Sequence, residues 1–203
     1  MTDQNFETQI QSLKREGPFL VAGLGNPGRN FERNRHNAGF MLLNRLSSRL
    51  GDNFGSVESK ALVAKSSYLG ERVILVKPQT YMNNSGPAIS SLVHFYKIPL
   101  DNLLVAYDDV DLSLGILRLR PSGGSAGQKG MQSIIEHLGT EVFPRLRIGT
   151  GRPPGKMEAS DYVLQDFPND ETDLLIITLD RAVEAVLTFL QYGLERAMNS
   201  YNG

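Results

Sequence analysis

The sequence predicts an α/β fold, in which one globular domain is built on a mixed, largely parallel twisted sheet flanked by helices. Short apolar runs typical of buried strands alternate along the chain with longer amphipathic patterns typical of helices. The 203 residues are 40% hydrophobic and 21% charged, which is ordinary for a chain that buries a large core. No repeat, low-complexity tract or linker divides the chain. We therefore expect a polar leader over residues 1–17, with a composition compatible with disorder, and a single domain over residues 18–203.

The first half of the chain predicts three strands and one helix. The apolar run Phe19–Gly23 indicates a buried strand, and Gly25–Gly28 has the composition of a turn. Apolar residues recur at helical spacing over residues 40–50. Ala61–Tyr68 and Arg72–Val76 then indicate two strands joined by a glycine-containing turn.

The second half continues the alternation. The glycine- and proline-rich segment Gly151–Gly155 is typical of a mobile lid. The other predicted elements are a helix from Asn84 or Ser85 to about Tyr96, strands over Leu103–Tyr107, Gly115–Arg120 and Leu146–Thr150, and helices over Lys129–Leu138 and Glu171–Gln191.

The net charge of −1 hides a strong asymmetry along the chain. Residues 29–49 carry five arginines against one glutamate, and residues 113–156 carry seven basic residues against two acids. Residues 158–203 carry nine acids against two arginines. Two basic segments on a nearly neutral chain suggest a local binding surface for a polyanion such as nucleic acid. The alternative is a solvated, arginine-rich face.

Composition also excludes several classes of protein. The absence of cysteine excludes a disulfide framework, a thiolate zinc site and a cysteine nucleophile, and it is compatible with a reducing compartment. No apolar run approaches the roughly 20 residues that span a bilayer, and the polar leader resembles neither a secretory signal nor a transit peptide. No cluster of histidine and acidic residues has metal-ligand spacing. We therefore expect a cytoplasmic protein with no membrane contact, no metal and no cofactor.

Two glycine motifs favour other functions only superficially. Gly23-Leu-Gly-Asn-Pro-Gly28 matches the dinucleotide-binding pattern, but Pro27 removes a backbone donor and the helix begins only near Ala38. An enzyme that binds a nucleotide cofactor through this loop remains a disfavoured alternative. Gly123-Gly-Ser-Ala-Gly127 spells a nucleophile elbow without the acid and histidine that must follow it, since His137 lies within a helical pattern. A flexible glycine loop is the preferred interpretation.

One set of polar residues carries a plausible chemistry. His36 stands between an arginine-rich loop and a helix start, where an imidazole can titrate near neutrality as a general base. Asp108 follows a buried strand and could orient that imidazole. Asn26 and Asn83 also follow strands, and each amide could hold an amide, a water or an oxyanion. Together they predict attack of a histidine-activated water on a carbonyl, the alternative for His36 being a purely structural hydrogen-bonded residue.

Five motifs follow one another along the chain: Gly23-Leu-Gly-Asn-Pro-Gly28, Arg35-His-Asn-Ala-Gly39, Tyr81-Met-Asn-Asn-Ser-Gly86, Asp108-Asp-Val-Asp-Leu112 and Phe143-Pro-Arg-Leu-Arg-Ile-Gly149. Together, in this order and spacing, they resemble the bacterial-type peptidyl-tRNA hydrolases, and the resemblance extends from about Phe19 to Tyr192. It implies a phosphorylase/hydrolase-like α/β monomer with no obligate protein partner. Such an enzyme binds the acceptor stem and 3′ end of peptidyl-tRNA and cleaves the ester between peptide and tRNA, which recycles the tRNA.

The resemblance also implies roles for individual residues. His36 matches the general base and Asp108 the residue that stabilises it. Asn26 matches the residue that engages the peptide and helps to reject unblocked aminoacyl-tRNA, and Asn83, beside Met82, matches the substrate-binding asparagine. Tyr81 matches a family position that lines the substrate cleft. The basic positions expected to meet tRNA phosphates are Arg118, Arg120, Arg145 and Arg147.

The chain departs from the family pattern at two places. Phe31 stands where tyrosine is common, which keeps a stacking ring but loses its hydroxyl. Gln128 and Lys129 stand where better-known members have histidine and asparagine, at positions expected to contact substrate. For Lys129 we expect a contact with a phosphate or the terminal ribose, the alternative being a solvated side chain. A non-catalytic RNA-binding relative is the main alternative function, but the four expected catalytic residues are all present, so we expect an active hydrolase.

Overall fold

A mixed seven-stranded sheet forms the centre of the protein, and the computed structural model describes residues 15–203. The strand order is β2-β3-β4-β1-β5-β7-β6. The four central strands, β4, β1, β5 and β7, are parallel, whereas β2–β3, β3–β4 and β6–β7 pair antiparallel. The predicted fold class is thereby confirmed. The strands are β1 (Phe19–Gly23), β2 (Ser56–Glu58), β3 (Ala61–Tyr68), β4 (Glu71–Pro78), β5 (Leu103–Asp109), β6 (Leu117–Arg120) and β7 (Arg145–Gly149).

Helices cover both faces of this sheet. On one face Val21 and Leu104 pack with α1, α5 and α6, and on the other Leu20 and Val105 pack with α2 and α3. Strands buried on both faces read as continuous apolar runs, which is why β1 and β5 could be predicted from the sequence. The helices are α1 (Ala38–Leu50), α2 (Gly86–Phe95), α3 (Lys129–Leu138), α4 (Ala159–Val163), α5 (Thr172–Tyr192) and α6 (Leu194–Tyr201).

A glycine sets the position of α1 against the sheet. A Cβ atom on Gly39 would lie 2.4 Å from the backbone nitrogen of Leu24 and 2.5 Å from the carbonyl oxygen of Ala106. Only a residue without a side chain permits so close an approach. The first turn of α1 therefore lies directly against the carboxyl ends of β1 and β5, and it brings the preceding turn, residues 35–37, to the same edge.

The predicted elements match the structure except where elements are short. The sequence missed β2, α4 and α6, and β6 begins at Leu117 rather than Gly115. These elements have three to eight residues, too few to show a clear periodicity. Gly151–Gly155 forms an irregular loop, and its expected mobility remains a prediction. None of the described helices combines the length and apolar character that a membrane crossing requires.

The prediction of a leader over residues 1–17 falls mostly on residues 1–14, which lie outside the described residues. The guanidinium of Arg15 lies 4.5 Å from the ring centroid of Phe19 and 4.4 Å from that of Phe189. It donates hydrogen bonds to the carbonyl oxygens of Phe189 and Leu190 near the end of α5. Burial lowers the pKa of this guanidinium to about 10. The chain is therefore anchored to the domain from Arg15 onward.

Candidate active site

A pocket of about 540 Å³ opens at the carboxyl ends of β1 and β5. Its other walls are the glycine loop that precedes α3 and one side of α4. Functional residues of open α/β sheets commonly lie in this location. The residues predicted from the sequence that line the pocket are Asn26, His36, Tyr81, Met82, Asn83, Asp108, Gln128 and Lys129.

His36 and Asp108 form a hydrogen-bonded pair at the base of the pocket. The His36 Nδ1 atom lies 2.8 Å from Oδ2 of Asp108, and the carboxylate is only 3% exposed. An ionised carboxylate only accepts, so Nδ1 carries the proton and donates it. In the neutral imidazole the other ring nitrogen, Nε2, is then the acceptor, and it has no partner among residues 15–203. This arrangement fixes the tautomer of the neutral imidazole and leaves Nε2 able to accept a proton.

Arg35 fixes the turn that carries His36. Its guanidinium is buried, lies 4.3 Å from the ring centroid of Tyr162 and donates to the carbonyl oxygen of Asp166 at 2.6 Å. It also pairs with Glu171 at 2.8 Å. These partners belong to α4 and to the segment after it, so Arg35 joins one wall of the pocket to the histidine turn. In the sequence, Arg35 stands out only as one of the basic residues of 29–49 and as the first residue of the motif that contains His36.

Asn26 is held by hydrogen bonds on three sides. Its backbone nitrogen donates to Oδ1 of Asn37 at 2.8 Å, and Nδ2 of Asn37 donates to its carbonyl oxygen at 3.0 Å. Its own Oδ1 accepts from the backbone nitrogen of Met82 at 2.8 Å. This bond assigns the amide, so Nδ2 of Asn26 is the group left for a ligand in the pocket. Asn37 lies beside His36 in the motif, but its contact with Asn26 is tertiary and could not be predicted.

Gln128 contacts Asp108 from the opposite side of the pocket. Its Nε2 atom donates to Oδ1 of Asp108 at 3.1 Å and lies 3.2 Å from Sδ of Met82. Its Oε1 atom accepts from the backbone nitrogen of Met131 at 2.7 Å and thereby caps α3. A contact between Gln128 and substrate, which the sequence analysis expected, remains a prediction.

Three expected substrate-binding side chains are solvent-exposed around the pocket: Tyr81, Asn83 and Lys129. None of them forms a side-chain hydrogen bond or ion pair with the described residues, so their polar groups are available to a ligand. Phe31, by contrast, lies in the turn after β1 and does not line this pocket. Its expected stacking role remains a prediction.

The four arginines of β6 and β7 have different environments. Arg120 is exposed and Arg118 is partly buried on β6. Arg147 is partly buried and pairs with Asp109. Asp109 itself is buried.

The prediction that Arg145 contacts tRNA phosphates is wrong. Its side chain is 1% exposed, and its guanidinium donates to the carbonyl oxygens of Gly123 and Glu141 and stacks on the ring of Phe143. Burial lowers the pKa of this guanidinium. The Arg145 guanidinium therefore stabilises the glycine loop that precedes α3 by hydrogen bonding.

Within residues 15–203 no three histidine or acidic side chains come together as a metal would require.

Comparison with known proteins agrees with this fold. A fixed imidazole–carboxylate pair in a pocket of an open α/β sheet is typical of hydrolases that activate water. The family model "Peptidyl-tRNA hydrolase" matches residues 20–203. The chain therefore belongs to the peptidyl-tRNA hydrolase family.

Individual relatives match over nearly their whole length. The chain is 46% identical to the peptidyl-tRNA hydrolase of Thermoanaerobacter sp. strain X514, covering 91% of this chain and 100% of the relative. It is 48% identical to that of Carboxydothermus hydrogenoformans, covering 91% and 98%. The crystal structure of peptidyl-tRNA hydrolase from Acinetobacter baumannii superimposes with a TM-score of 0.85 at 34% identity, covering 91% and 96%. A Campylobacter jejuni nucleosidase, 10% identical with a TM-score of 0.51, shares the fold alone.

Proposed function

We propose that this protein hydrolyses the ester that joins a peptide to the 3′ end of tRNA, by attack of a water molecule that His36 activates. The observation that carries the proposal is the 2.8 Å contact between His36 Nδ1 and Asp108 Oδ2, which leaves Nε2 without a partner in the described chain, on a residue that lines the pocket. The family relationship supplies the substrate class.

The proposed reaction proceeds through a tetrahedral intermediate. His36 Nε2 takes a proton from water as the water oxygen bonds to the ester carbonyl carbon, and the carbonyl oxygen becomes an oxyanion. Asp108 stabilises the resulting imidazolium. Collapse of the intermediate breaks the bond to the ribose oxygen, and the imidazolium returns its proton to that leaving group. The products are a free peptide carboxylate, after loss of its proton to solvent, and a free tRNA.

The two asparagines of the pocket would orient the substrate. Asn26 Nδ2 is the available donor on a side chain whose other groups are already bonded, so it would donate to the first peptide carbonyl. Asn83 is exposed, and its amide would contact either the peptide or the developing oxyanion. An unblocked aminoacyl-tRNA offers no peptide bond to this site, which explains how the free amine would be rejected.

The cationic side chains near the pocket would bind the tRNA backbone. Lys129 stands at the pocket, and Arg120 is exposed on the edge strand β6. Phosphate contacts by such side chains contribute affinity without sequence selectivity. We expect the protein to act in the cytoplasm as a monomer, with peptidyl-tRNA as its macromolecular partner.

Turnover of an N-acetylated aminoacyl-tRNA tests this function directly. The purified protein should release the N-acetylated amino acid catalytically, and should act much more slowly on the same tRNA with a free amino group. Tight binding of the tRNA without any release would instead support the alternative, a non-catalytic RNA-binding protein that keeps the fold.

A further inference from the structure

We infer that Gln128 is a positioning residue that orients the Asp108 carboxylate toward His36, an inference that rests on the proposed role of this pair. Gln128 lies at one of the two places where the chain departs from better-known relatives. In the structure its amide nitrogen lies 3.1 Å from Oδ1 of Asp108, while Oδ2 of the same carboxylate faces His36. Each carboxylate oxygen thus has its own donor.

The orientation of the Gln128 amide follows from its second partner. Its oxygen accepts from the backbone nitrogen of Met131 at 2.7 Å, in the first turn of α3. A backbone N–H can only donate, so the oxygen must face Met131 and the nitrogen must face Asp108. The contact at the start of α3 therefore determines that the amide nitrogen of Gln128, and not its oxygen, faces the Asp108 carboxylate.

The bond completes a connected set of contacts around the pocket. Gln128 Nε2 also lies 3.2 Å from Sδ of Met82, whose backbone nitrogen donates to Asn26. Asn26 in turn is bonded to Asn37, the neighbour of His36. His36, Asp108 and Asn26 thus belong to one connected network of contacts, and Gln128 joins this network to the start of α3.

A buried carboxylate needs such a donor. Asp108 is 3% exposed, so removal of the Gln128 amide would leave Oδ1 with neither a protein donor nor ready access to water. The ionised groups nearby do not substitute for it. Arg147 pairs with Asp109, Arg152 pairs with Asp111, and Lys129 is exposed without an ion pair in the described chain.

Two substitutions distinguish a positioning role of Gln128 from its role as a helix cap. Gln128→Ser keeps a side-chain acceptor at the start of α3 but is too short to reach Asp108. Gln128→Glu keeps both the length and the acceptor but replaces the donor by a carboxylate. Gln132→Ser, one turn further along α3 and exposed, is the matched control.

We expect both Gln128 variants to lower kcat on N-acetylated aminoacyl-tRNA by about ten- to a hundredfold with little change in KM. Their melting temperatures should fall moderately, because Oδ1 of the buried Asp108 carboxylate loses its donor. In Gln128→Glu the acid limb of the pH–rate profile should move to higher pH, because the added negative charge acts in the same direction as those of Asp108, Asp109 and Asp111 and stabilises the protonated imidazole. The control should behave as the wild type. The His36 imidazole nitrogen and Nδ1-proton NMR resonances should also shift in Gln128→Ser without substrate.

The outcomes distinguish this inference from the proposed function. If the wild type turns over and both Gln128 variants keep its kcat, pH profile and His36 resonances, Gln128 only caps the helix and the inference is wrong. A change in KM alone, with unchanged resonances, would mean direct substrate contact and would also overturn it. If the wild type does not turn over, the proposed function fails, and the NMR comparison still decides whether Gln128 positions the pair.

Discussion

Nδ1 of His36 lies 2.8 Å from Oδ2 of Asp108, although the two residues are 72 positions apart in the chain. His36 lies on the turn before α1, and Asp108 lies near the end of β5. The close packing of α1 on β1 and β5, which Gly39 permits, brings these two positions together. The chemistry of the pocket therefore depends directly on how the first helix packs against the sheet.

Asp108→Asn should lower kcat by less than loss of the imidazole does, since water attack can continue with a poorly oriented base. It should also move the acid limb of the pH–rate profile to lower pH, because the protonated imidazole loses its counter-charge. Steady-state kinetics between about pH 5 and pH 9 would measure both effects. An unchanged kcat and an unchanged acid limb would mean that the carboxylate does not act on His36.

Asn26→Asp isolates the amide nitrogen that faces the pocket. The new carboxylate can still accept from the backbone nitrogen of Met82, so the local structure should persist. The donor to the substrate is lost, so kcat/KM on N-acetylated aminoacyl-tRNA should fall and its ratio to that on the unblocked substrate should decrease. An unchanged ratio of the two values would contradict the proposed role of Asn26.

Lys129→Ala should weaken tRNA binding and reduce the slope of log K against log salt by about 0.7 to 0.9 if one phosphate contact is lost. KM should rise more than kcat falls. Lys129→Asn should restore much of the function, since it recreates the family pattern. Arg72→Ala is a suitable control, because Arg72 is exposed at the amino end of β4, at the opposite edge of the sheet. Equal effects of Lys129→Ala and the control would indicate a solvated lysine.

Substitutions of Arg145 and Arg120 are predicted to have opposite effects, the first on stability and the second on tRNA binding. Arg145→Met leaves the carbonyl oxygens of Gly123 and Glu141 without their donor and should lower the free energy of unfolding by about 2–4 kcal/mol. Its effect on the salt slope should be small. Arg120→Ala should instead reduce the salt slope while leaving denaturant unfolding unchanged. A stable Arg145→Met variant with weakened tRNA binding would reverse our assignment.

The sequence predicted β1 and β5, two strands of the parallel core, because they are buried on both faces and read as apolar runs. It also indicated the His36–Asp108 pair, because His36 stands just before a predicted helix start and Asp108 follows a predicted buried strand. Short elements such as β2 and α4 could not be predicted, because three or five residues carry no clear periodicity.

The environment of each charged side chain was the least predictable property. Alternation along β7 places Arg145 and Arg147 on the same face, but only the fold shows that the glycine loop covers Arg145 while Arg147 meets Asp109. The same holds for Gln128, whose contact with Asp108 joins the start of α3 to β5. Such contacts arise from packing between distant segments and leave no local signal in the sequence.

The most direct test of the central claim is the kcat of His36→Ala on N-acetylated aminoacyl-tRNA, measured beside its affinity for tRNA. If His36 is the general base, kcat should fall by about 10²- to 10⁴-fold, the usual contribution of a positioned base, and tRNA binding should stay within about twofold of the wild type. A variant that retained near-wild-type turnover would contradict the water-activation mechanism.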